Sequence, residues 1–197
     1  MPSITLKYPA LFLYERDTHG PAIFFPDIMG CVTCAESDVE GIEMAKEALS
    51  LYLHKSHLKA IPKPKPHEET IRVSVVGVDV ATLEEPDGLA YYAISIIYPC
   101  GITTYIPDFP EFEVNVSDDT NLLDLSHLKK SLSDYFNELS DIDLPRPRKL
   151  GEVMKIIDIN AHFFLKSNGI IYSNNVIEFK PDVDGMFIND NDENNNG

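Results

Sequence analysis

Aromatic and β-branched residues crowd positions 4–14, a pattern that predicts a strand. Polar residues then take over in the segment RDTHGP (16–21), whose Asp, Gly and Pro supply the dihedrals of a turn. Short apolar runs follow at 22–25 and 31–34 and read as two further strands. From 38 to 53 the period changes to that of a helix. Val39, Ile42, Ala45, Leu49 and Tyr52 form its apolar stripe. Met44, Ala48 and Leu51 widen that stripe, so a second buried side is expected. Ser37, with Glu40 three residues on, has the spacing of a capping box. Prolines 62, 64 and 66 mark an extended connector, and residues 73–80 read as a closing strand.

The same order of elements then recurs. Residues 91–98, 102–106 and 112–116 read as strands, 122–139 as a helix and 153–159 as a strand, with a turn at Pro99-Cys100-Gly101. At a spacing of 83, ETIRVSVVGVDV (69–80) aligns with EVMKIIDINAHF (152–163), and PKPK (62–65) with PRPR (145–148). Val39, Ile42, Ala45, Leu49, Tyr52 and Leu53 align with Leu122, Leu125, Leu128, Leu132, Tyr135 and Phe136. Around the first hairpin the spacing falls to 81, so that Phe25-Pro26-Asp27 meets Ile106-Pro107-Asp108. Loops tolerate such changes of length. The pattern predicts an α+β protein of two tandem β-β-β-α-β modules, 1–83 and 84–163, each a small antiparallel sheet covered by one helix. Residues 164–188 add one or two strands, and the polar run 189–197 is expected to be a disordered tail.

Charge changes the picture next. The 197 residues hold 16 Lys+Arg and 32 Asp+Glu, a formal net charge of −16. Such a chain is ill suited to neutralising phosphates, so direct nucleic-acid binding is not expected; a basic partner is. Residues 84–143 carry 13 acids and two bases, whereas the first 83 residues are near neutral. Asp108, Glu111, Glu113, Asp118, Asp119, Asp124, Asp134 and Glu138 are therefore the candidates for meeting a basic partner. If the charge meets such a partner, the second half is expected to do much of that electrostatic work.

Other chemistry is sparse. Three cysteines, at 31, 34 and 100, fit free thiols in a reducing cytosol. Cys31-x-x-Cys34 has no second ligand pair, so no zinc or other metal is expected. Asp182-Val-Asp184-Gly185 lacks the acid that a calcium loop needs two positions earlier. The six histidines are scattered, with no Ser or Cys nucleophile in a recognisable motif and no Gly-rich phosphate loop. Asp27 and Asp108 occupy matching positions, but one carboxylate per module is too few for two-metal chemistry. Each is read as tying up a turn, and no cofactor or enzymatic activity is expected. No apolar run approaches the ~18 residues of a membrane span.

Residues 8–80 resemble the HicB antitoxin family. The resemblance is carried by Tyr8-Pro9, by Phe25-Pro26-Asp27 with Gly30-Cys31 in FPDIMGC, and by the helix ending Leu51-Tyr52-Leu53 with its prolines and strand beyond. Met29 stands where the family commonly has proline. Over 91–163 only Pro107-Asp108 and the periodicities remain. The resemblance implies a cytoplasmic antitoxin that binds a small basic HicA-type mRNA interferase and covers its RNA-binding and catalytic surface. It also implies a partial RNase H-like fold and assembly as an oligomer, which two modules in one chain would imitate as a pseudo-dimer. The helix-turn-helix or ribbon-helix-helix that many members carry after this module is not recognisable in 163–197, where Lys166 and Lys180 are the sole bases. Operator binding by this chain alone is thus not expected. A stand-alone oligomeric adaptor without a toxin, and a divergent RNase H-like nuclease using Asp27 and Asp108, are the alternative readings.

Overall fold

A computed structural model describes residues 3–53, 61–78, 89–116, 125–138, 145–165 and 171–173. The fold is α+β, with two antiparallel sheets. Strands β1 (Ser3–Leu13), β2 (Ala22–Phe24) and β3 (Val32–Cys34) precede helix α1 (Asp38–Leu53). After the proline connector come a short helix α2 (His67–Thr70) and strand β4 (Ile71–Val78). Strands β5 (Leu89–Tyr98), β6 (Gly101–Tyr105) and β7 (Glu113–Val116), helix α3 (Leu125–Glu138), short helix α4 (Leu150–Val153) and strand β8 (Met154–Leu165) repeat that order. Strand β9 (Ile171–Ser173) follows and is the extra strand expected after the repeat. The rest of the expected strand segment, 174–188, and the tail 189–197 lie outside the described residues.

Compact units do not follow the halves of the sequence. The first sheet runs β3-β2-β1-β8-β9 and the second β4-β5-β6-β7. Strand β4 was expected to close the first module and β8 the second; each instead closes the other sheet. β8 lies against β1 over its full length, with Leu11 opposite Ile156 and Ser3 opposite Phe164. β4 lies against β5, with Val76 opposite Tyr91. The boundaries 1–83 and 84–163 are corrected accordingly. One unit comprises 1–14, 18–67 and 154–197, the other 15–17 and 68–153. The alternation of apolar positions fixes which face of a strand is buried, but two strands of equal pattern satisfy either neighbour equally well.

In the first unit α1 covers one face of its sheet. Ile42, Ala45, Leu49 and Leu53 meet Tyr8, Ala10, Phe12 and Ile23, joined by Ile159, Ala161 and Phe163 of β8. Gly41 lets the helix approach closely, since a Cβ there would sit 2.7 Å from Phe12 Cε1. Ser37 caps the helix, its Oγ accepting the Glu40 N–H at 3.3 Å, while Glu40 reaches back to the Glu36 N–H at 2.9 Å. Side chains also grip the exchanged strand. Lys155 of β8 pairs with Asp38 of α1 at 2.5 Å, and Asp38 accepts the Tyr14 hydroxyl at 2.7 Å. Burial pushes the Asp38 carboxyl up, but Lys155 and Tyr14 together outweigh it and hold it below its ordinary value.

In the second unit Leu128, Leu132 and Phe136 of α3 pack on Val76, Tyr91, Ala93 and Ile106. Phe109 meets Tyr91 and Phe136 edge to face, with centroids 4.8 and 4.7 Å apart.

Helix α1 departs from expectation on its outer face. Val39 and Tyr52 of the expected buried stripe are 73% and 46% exposed, and Leu51 of the expected second side is 71% exposed. The sheet takes up one face of the helix, and the wider apolar sector is left towards solvent.

Candidate functional site

The residues that carry the family resemblance build a loop. Phe25, Pro26, Asp27 and Ile28 form a turn closed by the Ile28 N–H to the Phe25 carbonyl at 2.9 Å, with Pro26 where its fixed φ suits the first central position. Ile28 to Cys31 forms a second turn, closed at 2.9 Å. Gly30 takes φ +82° there, the left-handed value that a type II turn demands of its third residue. Asp27 Oδ2 accepts the Lys65 N–H at 3.1 Å and so ties the loop to the proline connector. Tyr8 does the same from beneath, its hydroxyl donating to the Pro62 carbonyl at 2.7 Å.

The second unit repeats both turns. Phe109 N–H reaches the Ile106 carbonyl at 2.7 Å, and Phe112 N–H reaches the Phe109 carbonyl at 2.9 Å. Tyr91 donates to the Pro145 carbonyl at 2.8 Å, and Asp108 Oδ2 accepts the Arg148 N–H at 3.4 Å. Pro110 stands at the position equivalent to Met29. These are roles in folding. Tyr8, Pro9, Phe25, Pro26 and Cys31 are all buried, and Asp27 is half-buried. Burial also pushes the Cys31 thiol up to about 11, which makes it a poor nucleophile.

Both loop tyrosines are held protonated. Burial, and then the Asp108 charge, push Tyr91 up to about 12, although Arg16 works against the shift. Burial, and then Asp27, push Tyr8 higher still. A phenol whose folded pKa exceeds its unfolded value of about 10 adds stability below pH 10 and loses it as pH rises through the folded value. Tyr8→Phe and Tyr91→Phe should each cost about 1 kcal/mol at pH 7, the worth of one hydrogen bond. Each should also flatten the fall in stability between about pH 10 and 12. Urea titrations across that range check both, and an unchanged alkaline limb would sink the assignment.

Asp108 is a correction to the sequence reading. It was expected on the surface as a partner-facing acid, yet it is 3% exposed. Arg16 Nη2 binds its Oδ1 at 2.8 Å and Arg148 Nε at 2.6 Å. Those arginines also donate to the Arg146 and Pro107 carbonyls at 2.7 Å each. Unpaired, a buried carboxylate is costly, so this one is enclosed by two cations and a backbone N–H. Glu111 is exposed and accepts the Tyr135 hydroxyl at 2.7 Å, and Asp134 is exposed on α3. Glu113 opens β7 and Glu138 ends α3. Asp118, Asp119 and Asp124 lie outside the described residues. The eight candidate acids are thus not one surface.

A feature that sequence reading missed lies in the first unit. Between α1 and the edge strand β3 runs a groove of about 380 Å³, walled by Val32 and Thr33 on one side and by Met44, Ala48, Leu51 and Tyr52 on the other. Val32 is 54% exposed, and Met29 beside the groove's glycine is 57% exposed. Glu47 stands at the rim. The signal is present in the sequence as the second apolar stripe of α1, which its spacing alone places in the core. No group of three His, Cys, Asp or Glu able to hold a metal occurs among the described residues, and no helix among them is long and apolar enough to cross a membrane. Comparison of the chain with family models, curated proteins and solved structures finds no match.

Proposed function

We propose that the chain is an antitoxin of the HicB kind: a cytoplasmic, non-enzymatic protein that neutralises a small basic HicA-type mRNA interferase by covering its RNA-binding and catalytic surface. The observation that carries this reading is the doubled loop. The residues that resemble the family motif in the first half make the same tyrosine, aspartate and turn hydrogen bonds as their counterparts 81 or 83 positions later. Two HicB-like modules in tandem, with their last strands exchanged, account for that repetition. A single chain then supplies what two chains of a one-module antitoxin would. The net charge of −16 suits a cationic RNA-binding surface, and opposite fields speed the encounter.

Asp27 and Asp108, the pair a nuclease reading would use, are each engaged by a backbone N–H, and Asp108 by two arginines as well. This favours the binding reading over metal-dependent cleavage. Co-expression with a HicA-type toxin should give a 1:1 or 2:2 complex at ~150 mM salt in which mRNA cleavage is suppressed. Absence of a complex would defeat the antitoxin reading and leave the stand-alone adaptor. Mg²⁺-dependent RNA cleavage by the chain alone, abolished by Asp27→Ala or Asp108→Ala, would overturn the non-enzymatic assignment. An operator shift by the chain alone at that salt would contradict the absence of direct DNA binding.

A further inference from the structure

We propose that the groove between β3 and the outer face of α1 is the docking surface, and that its occupant is a basic protein segment carrying apolar side chains. This rests on the protein-binding reading above and moves the contact from the acidic second half to the nearly neutral first. Exposed apolar side chains in one contiguous patch are unusual for a surface helix and mark interaction sites. Leu51, Tyr52 and Val32 line the groove at 71%, 46% and 54% exposure. An aromatic and an aliphatic anchor around a pocket is the composition of interface centres.

Charge selects the occupant. Between residues 27 and 53 the chain holds six carboxylates and one lysine. That lysine, Lys46, is engaged by Glu43 at 2.8 Å. Glu40, Glu43 and Glu47 are exposed on α1, with Glu47 at the groove itself. A second copy docking symmetrically would bring these carboxylates against their own counterparts, which costs affinity. An anionic membrane or a nucleic acid would meet the same repulsion. A Lys- or Arg-bearing segment with one or two large apolar side chains satisfies both the groove and its rim.

The test uses the full chain and two probes: a HicA-type toxin and a labelled synthetic amphipathic helix of Lys and Leu. Leu51→Arg and Val32→Arg place a cation in the groove, Glu47→Lys reverses the rim, and Glu69→Lys on α2 is the control. All four positions are exposed, so circular dichroism and melting should be unchanged. Leu51→Arg should weaken binding at least ~30-fold, the scale of an interface anchor. Glu47→Lys should slow association most at low salt, and Glu69→Lys should stay within about threefold, as peripheral charges do. If the toxin is captured but the groove variants bind as wild type does, the groove assignment is overturned while the antitoxin reading stands. If the toxin is not bound but the peptide is, with loss in Leu51→Arg, the antitoxin reading falls and the groove stands. Binding of neither probe overturns both. Self-association abolished by Leu51→Arg, read by sedimentation, would identify a second copy as the occupant and overturn the proposal.

Discussion

Replacing Asp108 by Asn should lower the unfolding free energy by about 3 kcal/mol. Asp108 and Asp27 occupy the same place in equivalent loops. Each ties its loop to a connector N–H, a bond worth about 1 kcal/mol. Asp108 also pairs with Arg16 and Arg148, whose side chains are 28% and 20% exposed. Removing one member of a buried pair costs about 3–5 kcal/mol because its partners are left without a counter-charge. Water reaches both arginines here, so the lower end applies. Arg16 Nε is already buried without a hydrogen-bond partner among the described residues, which leaves that guanidinium little alternative satisfaction. Urea unfolding of Asp108→Asn at pH 7 checks the size of the loss. A loss of only about 1 kcal/mol, the worth of the connector bond by itself, would show that the arginines are supported by something other than Asp108.

Phe12→Ala is expected to be the most damaging core substitution, at about 4 kcal/mol. Phe12 is wholly buried in β1 and lies where α1 comes nearest, against Gly41. A ring removed there leaves a void that a glycine cannot fill. The informative part is how the loss is distributed. Each sheet is completed by a strand whose chain continues into the other unit, with Val153 ending α4 of one and Met154 opening β8 of the other. Phe12→Ala in the first unit and Leu132→Ala in the second should therefore displace one common transition. Circular dichroism and tyrosine fluorescence should report the same midpoint in both variants. Two separable transitions, each moved by only one of the substitutions, would refute that coupling.

Most of the local structure is legible in the chain. Helix α1 has the bounds that its period and Ser37 imply, and β1, β2, β5 and β6 lie within a residue or two of their apolar runs. The short helices α2 and α4 escape such a reading, because four residues carry no period. Strand partners are legible only as a set. RVSVVGV and KIIDINA stand at equivalent places in the repeat, and either could pair with either β1 or β5. The site is less legible still. An apolar stripe on a helix has the same spacing whether it meets a sheet or a partner, so spacing alone puts Leu51 and Tyr52 in the core. A run of acids does not disclose which member turns inward. The two cations that decide it for Asp108 lie 92 residues before it and 40 after it.

The exchange of β4 and β8 also sets the order in which this chain can be made. Thr5 and His162, hydrogen-bonded across β1 and β8, are 157 residues apart. During synthesis at about 5–20 residues per second, β1 therefore waits of order ten seconds for its neighbour. In that interval Ser3–Leu13 presents an apolar strand edge to the cell, and β4, of equivalent pattern, emerges first. A nascent chain can accordingly pair β1 with β4 and must later release it. Refolding should then show a slow phase absent from unfolding, and the strand that arrives last determines when the protein is ready to bind anything.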